Sequence, residues 1–108
     1  MHPVRQGDVL LIPVASMPAG LKPVAPVNGR VILAFGEATG HHHSLAASAA
    51  ALFRPDDMPS GIGGWLEVGS AGAVLEHQEH SPITLPPGIY RQAAQVEETP
   101  EAVRQVAD

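Results

Sequence analysis

The chain has 108 residues and no cysteine, and its formal net charge is −5 at pH 7 with only six Lys or Arg. This length suits one domain and is too short for two ordinary ones. The scarcity of basic residues excludes the electrostatic footprint of a nucleic-acid-binding protein. The absence of cysteine excludes disulfides and thiolate metal sites, so a metal ion would have to be held by His, Asp, Glu, backbone oxygen or water.

The N-terminal segment predicts neither a membrane span nor a signal peptide. The apolar stretch that follows Asp8 is far shorter than the roughly 20 residues of a transmembrane helix. The segment also lacks the basic start and the cleavage site of a signal peptide. We therefore expect a soluble, cytoplasmic protein that binds neither membranes nor nucleic acids.

Turn-forming residues divide the chain into short segments. Eleven Gly and eleven Pro are spread along it, which favours many short strands over a few long helices. Between these turns, runs of leucine and β-branched residues predict strands. In chain order, the strands predicted outside residues 44–54 are 7–14, 30–35, 65–68, 73–77, 83–85 and 89–97.

The stretch SLAASAAALFR, residues 44–54, is ambiguous. Its alanines favour a helix, and Ser44 is a suitable helix cap. Pro55 ends the stretch, however, and its large apolar residues form no helical stripe. We expect two short strands with a turn near Ala47–Ser48, and a helix is the alternative.

Together these segments predict an all-β fold. The spacing of the strands is typical of a small single-domain barrel or sandwich of about seven or eight short strands, here over residues 1–98. Thr99, Pro100 and Glu101 have the character of a helix start. We therefore expect residues 99–108 to form a short C-terminal helix or a tail.

Five of the six histidines fall in two clusters, and the first cluster is the run His41, His42 and His43. On an extended segment, side chains alternate between two faces, so His41 and His43 share a face and His42 points away. Two residues on a strand span about 6.6 Å, which lets both imidazoles lean onto one ion. The pair supplies half of a metal site.

The second cluster is His77 and His80 in the stretch EHQEH, residues 76–80. A turn between them would bring both rings together and complete the shell of a tetrahedral ion. Three protein ligands plus water would instead leave the open position that catalysis needs. We expect zinc as the ion, with iron, manganese or nickel as alternatives.

Two acidic residues lie beside the histidines. Glu37, four residues before His41, is a candidate ligand or general base, and a surface acid in a turn is the alternative. Glu79 could ligate an ion or orient a ring through its second nitrogen. Asp8, after Gly7, is expected only to stabilise a turn. The candidate catalytic residues are Glu37 and Glu79, and the candidate metal ligands are His41, His43, His77 and His80.

The stretch GEATGHHH resembles the first motif of the cupins, in which a glycine precedes a His-x-His pair on a β-strand. Cupins are small double-stranded β-helix barrels that hold one divalent metal, commonly through three His and one Glu. The resemblance gives His41 and His43 the paired positions. The glutamate expected after the pair is missing, and Arg91 stands where the second motif has its histidine. A cupin-like site would therefore need His77 or His80.

A second resemblance covers nearly the whole chain. The stretches RQGDVLL, GEATGHHH, EHQEHSPITLPPGIY and ETPEAVRQVAD are similar to a family of small uncharacterised bacterial and phage proteins. No established activity comes with this resemblance. It favours treating TGHHH and HQEH as parts of one site.

The sequence leaves the function open between two main alternatives. The first is a metal-dependent enzyme that acts on a small molecule through a metal-bound water. The second is a non-enzymatic module in which the histidines stabilise the fold or an interface with a partner or a second copy of the chain. A partner-binding protein without a metal is a third alternative. No nucleophile elbow or phosphate-binding loop identifies a reaction.

Overall fold

The computed structural model describes residues 2–35, 40–56 and 63–93, and the regular structure in these ranges is entirely β-strand. Short apolar runs bounded by glycine and proline form ten strands there. They are β1 (Val4–Gln6), β2 (Val9–Val14), β3 (Lys22–Pro23), β4 (Arg30–Phe35), β5 (His42–Ala46), β6 (Ala50–Arg54), β7 (Gly64–Val68), β8 (Ala73–Leu75), β9 (Ile83–Leu85) and β10 (Gly88–Gln92).

The strands form one large sheet and two separate strand pairs. The large sheet has six strands in the order β1-β2-β10-β7-β6-β3, and every neighbouring pair in it is antiparallel. β4 pairs with β5, and β8 pairs with β9. Because β2 lies beside β10, strands from the beginning and the end of the described chain are hydrogen-bonded to each other.

All three sheets share one apolar core. In β6 and β7 the alternation of the sequence is visible as alternating burial, with Leu52 and Leu66 buried and their chain neighbours less so. The two strand pairs add the buried side chains of Val31, Leu33, Ala34, Leu45, Ala73, Leu75 and Leu85. The domain therefore depends on contacts between sheets as much as on pairing within them.

One backbone bridge connects β5 to the residue after β8. The amide of Ser44 donates to the carbonyl oxygen of Glu76 at 2.9 Å, and the amide of Glu76 donates to the carbonyl oxygen of Ser44 at 2.8 Å. These reciprocal bonds fix β5 beside the loop between β8 and β9. Consequently His43 and His77, each adjacent in sequence to a bridged residue, lie on neighbouring backbones.

The all-β prediction is confirmed for the described residues. The segment 44–54 forms the end of β5, a turn at 47–49, and β6, as the two-strand interpretation predicts. The sequence predicts about seven or eight short strands, and the structure has these and two short edge strands of the large sheet, β1 and β3. Each edge strand is only two or three residues long, which is too short to show a clear alternation of apolar and polar residues in the sequence.

The remaining expectations concern the C-terminal helix, the cupin-like form of the barrel and a membrane-spanning segment. The C-terminal helix over 99–108, and with it the boundary after residue 98, lies outside the described residues. The cupin-like form of the barrel is not confirmed. Within the described ranges, no helix has the length and hydropathy needed to cross a membrane.

Candidate functional site

Four histidine rings from two segments meet next to the turn between β1 and β2; we call them the histidine cluster. The ring centroid of His77 is 4.3 Å from that of His43, 4.7 Å from that of His80 and 5.7 Å from that of His41. The centroids of His43 and His80 are 5.8 Å apart, with nearly parallel planes. The structure thus brings together side chains that are up to 39 positions apart in the sequence.

The spacing of these rings resembles that of metal ligands, but their present orientation does not form a site. Imidazoles that bind one tetrahedral zinc ion with nitrogens about 2.0–2.1 Å from it have ring centroids about 5 Å apart. The separations in the cluster, 4.3–5.8 Å, lie on both sides of that value. As they stand, however, the described residues contain no group of three or more His, Cys, Asp or Glu that could hold a metal ion.

A buried amide holds His43 in one orientation. Gln6, the last residue of β1, is only 3% exposed. Its Nε2 donates to the carbonyl oxygens of Leu75 and Ser81, each at 3.0 Å, and its Oε1 lies 2.8 Å from Nδ1 of His43. Since both amide hydrogens are engaged by carbonyl oxygens, Oε1 acts as the acceptor for His43. Neutral His43 therefore carries its proton on Nδ1 and its lone pair on Nε2.

Burial keeps His43 neutral. Desolvation, followed by the neighbouring His77, lowers the pKa of His43 from 6.5 to about 4, although the carboxylate of Asp8 acts in the opposite direction. Oδ1 of Asp8 is 3.7 Å from Nε2 of His43. At pH 7 this nitrogen therefore presents an unprotonated lone pair near a carboxylate and the other rings of the cluster.

The turn between β1 and β2 leaves room for two of the rings. Gly7 has φ +61° and is the first residue of the two-residue connection Gly7–Asp8, where hairpins prefer glycine. A Cβ at this position would lie 2.9 Å from Nε2 of His80 and 3.0 Å from Cε1 of His43. The bare backbone at Gly7 is needed for the backbone conformation and also for the close approach of both rings.

The loop after β8 orients His77 in the opposite sense. The backbone amide of Glu79 donates to Nδ1 of His77 at 3.0 Å, so the neutral ring has its lone pair on Nδ1 and its proton on Nε2. Burial and the nearby His80 and His41 lower the pKa of His77. The carboxylate of Glu79 also reaches His41, with Oε2 3.4 Å from Nδ1. Glu79 thus contacts two of the four histidines.

An open cavity of about 580 Å³ adjoins the cluster, with His77 and His42 in its wall. Arg30 also lines it, and its guanidinium donates to Oγ and the carbonyl oxygen of Ser44, both at 3.1 Å, and to Glu76 at 2.8 Å. This volume falls within the range of about 300–1,000 Å³ that is common for small-molecule sites. A molecule bound there would contact His77 and one arginine.

The structure places the remaining candidates differently. Glu79 lies at the exposed edge of the cluster, with its side chain 67% exposed. Glu37 lies outside the described residues. The ring of His42 is edge-on to Phe35 at a centroid distance of 6.4 Å, on the neighbouring strand. His42 is therefore the one member of the histidine run that makes no ring contact with the cluster in the described chain.

Sequence reasoning missed two residues of this site, Gln6 and Asp8. Asp8 does lie in the predicted turn, but its carboxylate also faces His43. Gln6 shares a strand face with Val4, and a polar residue on the inward face of a short strand was the only signal. Both residues meet His43 across more than 30 positions of sequence, a separation that local patterns do not report.

Comparison with known proteins identifies a family whose function is unknown. A family model described as a domain of unknown function, DUF8820, matches residues 5–95, which include Gln6 and the whole histidine cluster. No curated protein and no solved structure matches the chain. The expected membership of an uncharacterised family is confirmed, whereas the motifs quoted for it and the cupin resemblance are not confirmed.

We expect Gly7→Ala to be more harmful than the same change at Gly20. Both glycines have positive φ, so alanine strains either turn by roughly 1–2 kcal/mol. Only at Gly7 would the new Cβ also collide with His80 and His43, because nothing lies within 4 Å of a Cβ at Gly20. Urea denaturation should show the larger loss for Gly7→Ala, together with displaced imidazole NMR signals. Equal losses in the two variants would contradict the close packing of the cluster.

The metal-free protein should become more stable as pH rises from about 4 to 6.5. Folding lowers the pKa of His43 from 6.5 to about 4, so in this window the unfolded chain binds a proton that the folded protein does not. The free energy of unfolding therefore increases with pH across the window and levels off above it, by on the order of 3 kcal/mol. Urea denaturation of chelator-treated protein measures this slope.

His43→Gln should flatten this pH dependence, because it removes the titrating ring. His2→Gln, a change at an exposed histidine outside the cluster, should keep it. A slope that persists unchanged in His43→Gln would show that His43 is not its source.

Proposed function

Because the chain belongs to the DUF8820 family, whose function is unknown, we propose its function from the histidine cluster: the protein binds one divalent metal ion, with zinc the expected ion. Iron, manganese and nickel are the alternatives, since imidazole suits each of them. The cytoplasmic location inferred from the sequence stays a prediction and is part of this proposal.

The observation that carries the proposal is the hydrogen bond between His43 and Gln6. Histidines that bind metals commonly donate their second ring N–H to an oxygen acceptor, which fixes the ring and leaves the other nitrogen unprotonated. The 2.8 Å contact between Nδ1 of His43 and Oε1 of Gln6 has this form. Gln6 is itself fixed by its hydrogen bonds to two carbonyl oxygens. The lone pair on Nε2 of His43 is therefore oriented as a metal ligand before any metal binds.

His80 is the natural second ligand. Its Nε2 lies 2.9 Å and Nε2 of His43 lies 3.4 Å from the position that a Cβ of Gly7 would occupy, so both nitrogens border the same small space. Asp8, 3.7 Å from Nε2 of His43, supplies a carboxylate to that space. Two imidazoles and a carboxylate are a donor set that zinc and iron both accept.

After a change in ring orientation, His41 and His77 would complete a shell of four histidines, with Asp8 beside it. His77 now accepts a hydrogen bond from the amide of Glu79 at Nδ1. It could bind through Nε2 only by giving up that bond, or through Nδ1 by displacing the amide. The described residues contain no ready group of three ligands, so binding requires the rings to reorient, and His77 is the residue that must give up a hydrogen bond to do so.

A catalytic use of the ion is favoured by the neighbouring cavity. A bound divalent ion supplies a Lewis acid and a water of lowered pKa. The cavity of about 580 Å³ begins at His77 and is also lined by the ion pair of Arg30 and Glu76, which offers polar contacts to a small molecule. Glu79, whose carboxylate is near His41, is the candidate to hold or move a proton at the edge of the site.

A structural use of the ion is favoured by the topology. The cluster lies where all three sheets meet: beside the turn after β1, at strand β5, and at the loop between β8 and β9. An ion at this junction would tie the three sheets together in a small domain with few aromatic residues, four in the chain. An interface between copies of the chain is the remaining form of this alternative.

Untagged protein purified without a nickel column should contain a divalent metal near one equivalent per chain. His43→Gln and His80→Gln should each weaken zinc binding by about a hundredfold, since each removes a ligand. His2→Gln is the matched control and should bind as the parent protein does. Elemental analysis and calorimetric titration provide both measurements. Absence of metal, together with no heat on adding zinc, iron or manganese, would refute the proposal.

Removing the metal with a chelator distinguishes a structural role of the ion from a catalytic one. If the ion is structural, chelator should lower the melting temperature by tens of degrees and broaden the amide NMR spectrum. If it is catalytic, the fold should survive chelation with only the signals of the histidine cluster displaced. Thermal melts and amide spectra with and without chelator decide between them.

A further inference from the structure

Arg54 occupies an inward position of a core strand. In β6 the buried positions alternate as Ala50, Leu52 and Arg54, and Arg54 is only 7% exposed. Gly64 on the adjoining strand makes room for it, because a Cβ there would lie 3.0 Å from Cγ of Arg54 and 2.9 Å from the carbonyl oxygen of Phe53. The fold thus places a cation where the pattern of the strand calls for an apolar side chain.

The guanidinium of Arg54 is only partly satisfied. Its Nε donates to the carbonyl oxygen of Gly63 at 3.0 Å, but no described residue accepts a hydrogen bond from its buried Nη2. Two acids of the described chain are paired with other cations: Asp56 with Lys22 at 3.2 Å and Glu76 with Arg30 at 2.8 Å. A buried positive charge without a partner is strongly destabilising and calls for an explanation.

Arg54 lines a cavity that is otherwise apolar. The cavity has a volume of about 200 Å³, and its other walls are aliphatic and aromatic side chains from residues 24–27 and from β4. Val27 and Phe35, in its wall, are 52% and 71% exposed. They are two of the three large hydrophobic side chains that the described part of the chain leaves exposed. The cavity therefore joins an accessible apolar surface to a buried cation.

We propose that this cavity binds a small organic monoanion, a carboxylate attached to a short apolar body. The carboxylate lies against the guanidinium of Arg54 and neutralises its charge, a pairing that the planar guanidinium favours. Nη2 is closed off from solvent in the unliganded protein, so it becomes a hydrogen-bond donor to the carboxylate after a small rotation of the Arg54 side chain. The apolar body lies against Val27 and Phe35. A phosphate ester fits less well, because its second charge would find no further cation among the residues that line the cavity. This proposal is independent of metal binding by the histidine cluster.

Hexanoate, hexan-1-ol and hexylammonium test this ligand class, since they share a chain and differ in charge. Calorimetric titration should show one hexanoate per chain and much weaker binding of the other two. In amide NMR spectra, hexanoate should displace the signals of Val27 and Ile32, which line the cavity. Binding of hexan-1-ol as tight as that of hexanoate would overturn the proposal, because the charge would then contribute nothing.

Arg54→Met should weaken hexanoate binding by about tenfold or more, because it removes the charged donor. Without ligand, the same variant should melt about 4 °C higher than the parent protein, because it removes an unpaired buried charge. Arg5→Met, which removes an exposed arginine at the opposite edge of the large sheet, should change neither property. Equal hexanoate affinity in the parent protein and Arg54→Met would overturn the proposal.

Two further measurements keep the outcome decisive. If Arg54→Met does not fold, Arg54→Gln serves as a second neutral variant, and the three hexyl probes on the parent protein need no variant at all. Sedimentation velocity tests whether a second copy of the chain covers the cavity instead. A dimer that hexanoate does not dissociate, with the amides of residues 24–35 protected from exchange, would assign this surface to self-association and overturn the proposal.

Discussion

The amide of Gln6 is the constraint on which the histidine cluster depends. It is buried, and its three hydrogen bonds reach three places: Leu75 at the end of β8, Ser81 before β9, and His43 in β5. Loss of the amide would leave the buried Nδ1 of His43 without its acceptor, which costs more than the bond itself contributes. One side chain therefore sets both the spacing of the three sheets and the protonation pattern of His43.

Backbone bonds between Ser44 and Glu76 form a second polar connection near Gln6. The reciprocal backbone bonds between Ser44 and Glu76 extend β5 toward β8, and Arg30 fastens the same junction by bonding to both residues. These links join the β4–β5 pair to the β8–β9 pair. The histidine cluster lies at this junction, so a ligand bound there would act on the contact between sheets rather than on one sheet.

The buried side chains of His43 and Arg54 differ in charge and in how fully they are hydrogen-bonded. His43 is held neutral, with a hydrogen-bonded Nδ1 and an unprotonated Nε2, so its burial is compatible with a stable apo protein. Arg54 remains a cation with a buried nitrogen that no described residue accepts from. The first arrangement suits a metal, which needs a lone pair, and the second suits an anion, which supplies a counter-charge. The two sites share the β4–β5 pair, through Phe35 and His43.

Local patterns in the sequence predicted eight of the ten described strands and grouped five histidines into two clusters. Alternation marks β7, a run of leucine and β-branched residues marks β4, and residues 44–54 stayed open between two strands and a helix. Alternation also separates His42 from His41 and His43, because these patterns depend only on neighbours along the chain. Only the tertiary structure decided that Gln6 would meet His43 and that Arg54 would face an apolar cavity. Those contacts join different sheets or a strand and a distant loop, and they depend on sheet packing and turn geometry, which leave no periodic trace in the sequence. His41 and His43 join a cluster only because the loop after β8 lies beside β5.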